Sequence, residues 1–227
     1  PRKTRGHPAL PAITHGRGCS VTAPGGRASC VVAQAAGFGA VMSDGWELVR
    51  ADVLLDSPHV RVTRETVRTP SRPKGREWTK VTRKVGVTIA PRLPDGSFVL
   101  IREERVPARR DFWQFPAGQI DGVVTEHAID EAARRELSEE AGCEVTGKLE
   151  YLGKFFTSPG FTDEHTHQFL ATEVRWDREA AVHDGEEQIL EMKSFQPEEL
   201  REMVTHGVIE DANTLGLYAR LAAGRWL

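Results

Sequence analysis

Cysteine is scarce in this chain of 227 residues. Cys19, Cys30 and Cys143 form an odd set without metal-ligand spacing, so neither a disulfide framework nor a zinc site is implied. Apolar runs long enough to span a bilayer are missing, which excludes a membrane-spanning helix. A basic excess is missing too: the net charge is −3 and the pI about 6.3, which excludes a general nucleic-acid binder. No internal repeat and no helix-turn-helix pattern is present. A reducing cytoplasm is the expected compartment, with neither nucleic acid nor membrane as a partner. The length fits one domain with a real core and an appended segment.

Residues 1–41 lack Asp and Glu altogether while carrying five Arg or Lys, leaving 25 basic against 33 acidic residues in the remainder. No hydrophobic period of 2 or 3.6 persists there, so a flexible tail is expected. A targeting leader, or sequence upstream of a start at Met42-Ser43-Asp44-Gly45, are the other two readings, the leader ranking last. Removing residues 1–41 is expected to leave activity unchanged.

What the chain does hold is concentrated at Arg135-Glu136-Leu137-Ser138-Glu139-Glu140-Ala141-Gly142-Cys143. Glu136, Glu139 and Glu140 stand at i, i+3 and i+4, so a helix gathers their carboxylates on one face, where like charges repel by a few tenths of a kcal/mol per pair. Ile129, Ala133 and Leu137 form a separate apolar stripe that docks the helix, leaving the acidic face apart from the packing face. Hard divalent cations take such oxygen ligands, and Mg²⁺ is commonly shared between carboxylates and substrate phosphates. A solvated acidic face is the bland account, and the three Glu alone would not displace it.

The flanks do. Upstream stands Phe115-Pro116-Ala117-Gly118-Gln119-Ile120-Asp121-Gly122, and the whole unit resembles the Nudix hydrolase signature. In that signature a Gly precedes a Glu and then Arg-Glu-apolar-x-Glu-Glu-x-Gly-apolar. Arg135 to Cys143 match position for position. Between Gly118 and Arg135 the chain is three residues longer than the family spacing; His127 takes the place of the first Glu, with Glu126 beside it as a substitute brace. Thr125 is a fair N-cap for the helix.

Outside the box, alternation marks strands at 60–67 and 78–83, with a turn carrying Pro70, Pro73 and Gly75 between them. Apolar strands at 85–90 and 97–101 flank Pro94-Asp95-Gly96. Further strands are expected at 149–156, 166–174 and 188–195, then helices from Pro197 and from about Asp211 to Ala223. The expected fold is α/β, a Nudix-like α/β/α sandwich with a mixed sheet plus an N-terminal antiparallel strand region. The expected division is a tail over 1–41, a strand region over 42–84 serving dimerisation, and a hydrolase domain over 85–227.

Ser158-Pro159-Gly160, with Pro159 sixteen positions after Cys143, resembles the proline marker of ADP-ribose pyrophosphatases. Gly185-Glu186-Glu187-Gln188 resembles their acidic mobile loop, and Asp211-Ala212-Asn213-Thr214-Leu215 the start of their C-terminal helix. The resemblance runs from about Trp46 to Leu221. It implies hydrolysis of ADP-ribose to AMP and ribose 5-phosphate. Glu136, Glu139, Glu140 and the Ala117 carbonyl would hold Mg²⁺ or Mn²⁺, Glu186 or Glu187 would act as base beside Glu140, and Arg105, Glu164 and Pro159 would meet the substrate. It also implies a homodimer that takes a nucleoside diphosphate-linked small molecule. Other nucleotide sugars, an oxidised nucleotide, or a non-catalytic ADP-ribose sensor are the alternatives. Arg135 is expected to brace the loop, His165 and His167 to pack or face solvent, and Phe112 and Trp113 to pack.

Overall fold

The computed structural model describes residues 45–182 and 188–227. Three strands, β1 (Glu47–Asp56), β2 (Arg61–Thr69) and β3 (Arg72–Thr82), form an antiparallel meander. The turn before β3 is shorter than the sequence indicates. Thr69 already pairs with Arg72, so Pro73 and Gly75 lie within the strand rather than in the turn. β3 is an edge strand, where a missing N–H need cost no ladder bond.

The central layer comprises β4 (Gly86–Pro91), β5 (Phe98–Arg105), β6 (Arg110–Gln114) and β7 (Ala117–Gln119), followed after helix α1 (Glu126–Ala141) by β8 (Cys143–Val145), β9 (Leu149–Phe156), β10 (His165–Ala171), β11 (Val174–Trp176) and β12 (Ile189–Phe195). Helices α2 (Pro197–Thr205) and α3 (Ala212–Ala223) close the chain. One sheet runs β7-β4-β10-β9, with β4 and β10 parallel and the outer pairs antiparallel; a second runs β12-β5-β6, and β8 pairs with β11. The 166–174 segment is therefore two strands.

Period-two alternation explains the layering. Val87 and Ile89 of β4, Val99 and Ile101 of β5, and Phe169 and Ala171 of β10 point to one face, where Ala133, Leu137 and Ala141 of α1 cover them. Ala90, Phe98, Leu100 and Leu170 point the opposite way, to Leu200 of α2 and to Leu217 and Leu221 of α3. Fully burying each such side chain contributes about 1.5–3 kcal/mol. The result is the expected α/β/α sandwich. Cys143 closes the first core, 1% exposed, and burial pushes its thiol up to about 12.

Local signals set the helix ends. Thr125 Oγ1 accepts from the Ala128 N–H at 3.1 Å, and Gly142 ends α1 with φ +60. A Cβ on Gly142 would stand 2.0 Å from the Asp177 carbonyl oxygen, so only glycine fits. Asp211 caps α3 through the Thr214 N–H at 2.8 Å, and Thr214 Oγ1 accepts from the Phe115 N–H at 3.0 Å. The Asp-Ala-x-Thr-Leu run thus ties α3 to the end of β6. No helix among the described residues is long and apolar enough to cross a membrane. The meander differs from the rest: Trp46, Leu48, Val49, Val53, Leu54 and Leu55 are each 45–55% exposed.

Candidate active site

The acidic face of α1 is not apart from the packing face. Glu136 and Glu140 are only 5% and 2% exposed, because β7 passes directly over them. Glu140 Oε2 accepts from the Ala117 N–H at 2.9 Å, so this residue meets the helix through its N–H. At Gly118 the backbone comes closer still: a Cβ there would sit 1.8 Å from Glu136 Oε1.

Arg135 braces the loop, as its sequence context indicates. Its Nη2 donates to Glu136 Oε1 at 2.6 Å and to the Gln119 carbonyl at 3.3 Å, while Nη1 donates to Glu139 Oε2 at 2.9 Å. Burial pulls the guanidinium's proton affinity down, but Glu136 and Glu139 outweigh it and hold the pKa above its ordinary value. The substitute brace is not where the sequence put it. Glu126 is exposed at the helix start, beside a separate hollow lined by Tyr151 and His167, and His127 pairs with Glu131 at 3.2 Å.

Glu136, Glu139, Glu140, Ala117 and Gly118 line a cavity of about 850 Å³. Arg105 and Glu164 line it as well. Arg105 Nη1 lies 2.7 Å from Glu103 Oε1, and Glu164 is held by Arg83 at 3.0 Å and by the Thr157 hydroxyl at 2.8 Å. Pro159 sits exposed on its turn, outside the lining. Glu186 and Glu187 lie outside the described residues.

The sequence reading missed several lining residues. His59 comes from the β1–β2 turn, Arg83 and Lys84 from the end of β3, and Asp121 from the loop before α1. Lys84 Nζ stands 2.6 Å from Asp121 Oδ1 and holds that carboxyl below the usual range, chiefly through this hydrogen bond. The only advance signal was an adjacent basic pair, Arg83-Lys84, closing an alternating strand. Phe112 also faces the cavity with Arg110 stacked 4.7 Å from its ring, whereas Trp113 packs edge-on against Phe195 at 5.0 Å. His165 lines the cavity and His167 turns to the Tyr151 hydroxyl at 3.1 Å.

All the box donors are hard oxygens, the chemistry a divalent cation requires. The missing Cβ of Gly118 keeps backbone against the Glu136 carboxylate, a cradle that any side chain would fill. Among the described residues no three His, Cys, Asp or Glu side chains converge as a ready cluster. Arg135 supplies the positive charge between Glu136 and Glu139 in this arrangement. The donor set fits a divalent ion in chemistry, on condition that it shares these carboxylates with Arg135.

The sequence pattern of the NUDIX domain family matches residues 82–215. An ADP-ribose pyrophosphatase of Bacillus subtilis (strain 168) is 33% identical over 121 residues, 53% of this chain and 62% of the relative. A GDP-mannose pyrophosphatase of Yersinia enterocolitica is 29% identical over 139 residues, 56% of this chain and 69% of the relative. The chain thus spans less than two thirds of the length of the Bacillus relative. A solved structure described as an ADP compounds hydrolase superposes with a TM-score of 0.65 at 17% identity, covering 82% of this chain and 96% of that one. That likeness is one of fold.

Proposed function

This chain belongs to the NUDIX domain family, and from that premise we propose that it hydrolyses the pyrophosphate bond of ADP-ribose to AMP and ribose 5-phosphate, using a divalent metal ion. One observation carries the reading: the three box carboxylates and Arg105 line a single cavity of about 850 Å³, within the range that holds a small organic ligand.

Within that cavity the cationic side chains Arg83, Lys84, Arg105 and Arg135 offer N–H donors to a diphosphate. Glu164 keeps lone pairs for a ribose hydroxyl although Arg83 and Thr157 engage its oxygens. Glu136, Glu139 and Glu140, with Ala117, are the residues to hold the ion, Mg²⁺ or Mn²⁺. When bound, such an ion neutralises charge on a phosphate and lowers the pKa of water. Glu186 or Glu187 is proposed as the base by resemblance alone, since both lie outside the described residues. The exposed apolar residues of β1 fit a dimerisation role for the 42–84 region.

The test is hydrolysis of ADP-ribose, GDP-mannose and 8-oxo-dGTP side by side with Mg²⁺. ADP-ribose is expected to be cleaved fastest, giving AMP and ribose 5-phosphate in equal amounts. The 29% identity to a GDP-mannose pyrophosphatase supports a second reading, another nucleotide sugar, which gains if ADP-ribose is the poorest of the three. Tight ADP-ribose binding without AMP release under any divalent ion would point to a binding module instead.

A further inference from the structure

We propose that Glu103 and Gln114 are positioning residues, which fix Arg105 where the diphosphate of the ligand lies. This rests on the reading of the cavity given above. Ile101, Glu103 and Arg105 alternate along β5 and share one face, and Gln114 of β6 pairs with Ile101 on that same face. The face runs from core to cavity: Ile101 is 0% exposed, Glu103 2%, and Arg105 is partly exposed at the wall.

The three polar side chains close a ring. Arg105 Nη1 meets Glu103 Oε1 at 2.7 Å, Gln114 Nε2 donates to Glu103 Oε2 at 2.7 Å, and Arg105 Nε donates to Gln114 Oε1 at 3.2 Å. The Gln114 amide plays both parts at once, its nitrogen donating to a carboxylate and its oxygen accepting from a guanidinium. A glutamate at 114 would oppose Glu103, and a leucine would satisfy neither neighbour. Among the described residues the ring engages Nε and Nη1 of Arg105, and Nη2 is the nitrogen offered to a ligand oxygen. A buried carboxylate is a poor device for stability, because well-packed apolar side chains of the same volume do as well. Orienting a cation that must otherwise search many rotamers is what the ring adds.

The test reads ADP affinity in the presence of Mg²⁺ by titration calorimetry on the full chain, with a thermal melt as the fold check. Glu103→Gln should weaken ADP about tenfold, the loss of one charge-assisted contact, and less than twofold in an Arg105→Ala background. Gln114→Met, which keeps the length and removes both hydrogen bonds, should weaken ADP about threefold with the same dependence on Arg105. Equal losses in the two backgrounds would make the ring a matter of fold alone and overturn the proposal, as would no loss or no ADP binding by the unaltered protein. If ADP binds with this coupling but no nucleotide in the hydrolysis panel is cleaved, the positioning role stands and the hydrolase reading falls.

Discussion

Replacing Gly118 with alanine isolates the contact on which the candidate site depends. The added Cβ would lie 1.8 Å from Glu136 Oε1, 2.0 Å from its Cδ and 2.6 Å from Oε2. Such distances are closed to real atoms, so one partner must move. Gly118 does not sit in the left-handed region, so alanine meets no backbone penalty there. Glu136 is the movable end, yet it is 5% exposed and held by Arg135 at 2.6 Å. Turning it away breaks that bond, about 1.5–3 kcal/mol for a charged pair, or else crowds the strand at about 1–3 kcal/mol. One of these losses occurs in full and the other in part, giving about 2–4 kcal/mol. For a domain of this size that corresponds to roughly 5–15 °C in melting temperature. Binding of Mn²⁺ to the metal-free protein, followed by electron spin resonance, should weaken more than about tenfold because a carboxylate proposed to hold the ion is displaced. Gly160→Ala is the control: its Cβ meets nothing within 4 Å, and it should stay within about 0.5 kcal/mol. A Gly118→Ala protein that melts with the wild type and binds Mn²⁺ normally would refute the cradle.

Glu140→Gln keeps an oxygen to accept from the Ala117 N–H, so the melt should hardly change while kcat falls by about two orders of magnitude or more. Near-normal turnover with an ordinary Mg²⁺ requirement would remove Glu140 from the site. Thr214→Val keeps the shape of a residue that is 0% exposed but orphans the Phe115 N–H, and should cost about 1–3 kcal/mol in urea unfolding; a midpoint equal to wild type would contradict this. Burial, helped by His165 and Lys154, holds the His167 imidazole down at about 4 from its ordinary 6.5. Between pH 6.5 and 4 the unfolded chain therefore takes up a proton that the native protein refuses, so stability rises with pH across that window. His167→Gln should lose less stability than wild type on acidification from pH 7 to 4.5, and equal losses in the two proteins, read as urea midpoints, would show that the ring titrates normally.

Much of this fold was legible because its signals are local. Thr125 and Gly142 bracket α1 by their own hydrogen bonds, Pro197 starts α2, Asp211 caps α3, and β9 and β12 fall where strands are expected. The sequence places the acidic triplet on one helix face but does not show that Glu136 and Glu140 are buried there while Glu139 stays half-exposed. Three glutamates at i, i+3 and i+4 read the same whether solvent or a strand lies over them. Burial of Glu136 rests on Gly118, whose missing Cβ lets β7 approach, and Glu140 lies against the neighbouring Ala117 N–H. Arg135 then supplies the charge that makes this tolerable, through contacts one and four residues along the same helix.

The wall opposite the helix was not legible, since it is assembled by pairings distant in sequence. The end of β3 is stitched to the 158–164 loop by the Val81 N–H on the Phe161 carbonyl at 2.8 Å and by Lys80 on Asp163 at 2.7 Å, which places Arg83 beside Glu164. Nothing in either segment alone announces the other. The same wall anchors the lengthened loop before α1. The Ile120 N–H is bonded to the Val85 carbonyl at 2.9 Å, and Asp121 is held by Lys84 at 2.6 Å, so the loop is anchored just past β7. It is anchored again where Thr125 caps α1. Between the two anchors Gly122, Val123 and Val124 are exposed, with Val123 at 81%. Added length is thus expelled to solvent between fixed points, and Gly118 keeps its place over Glu136.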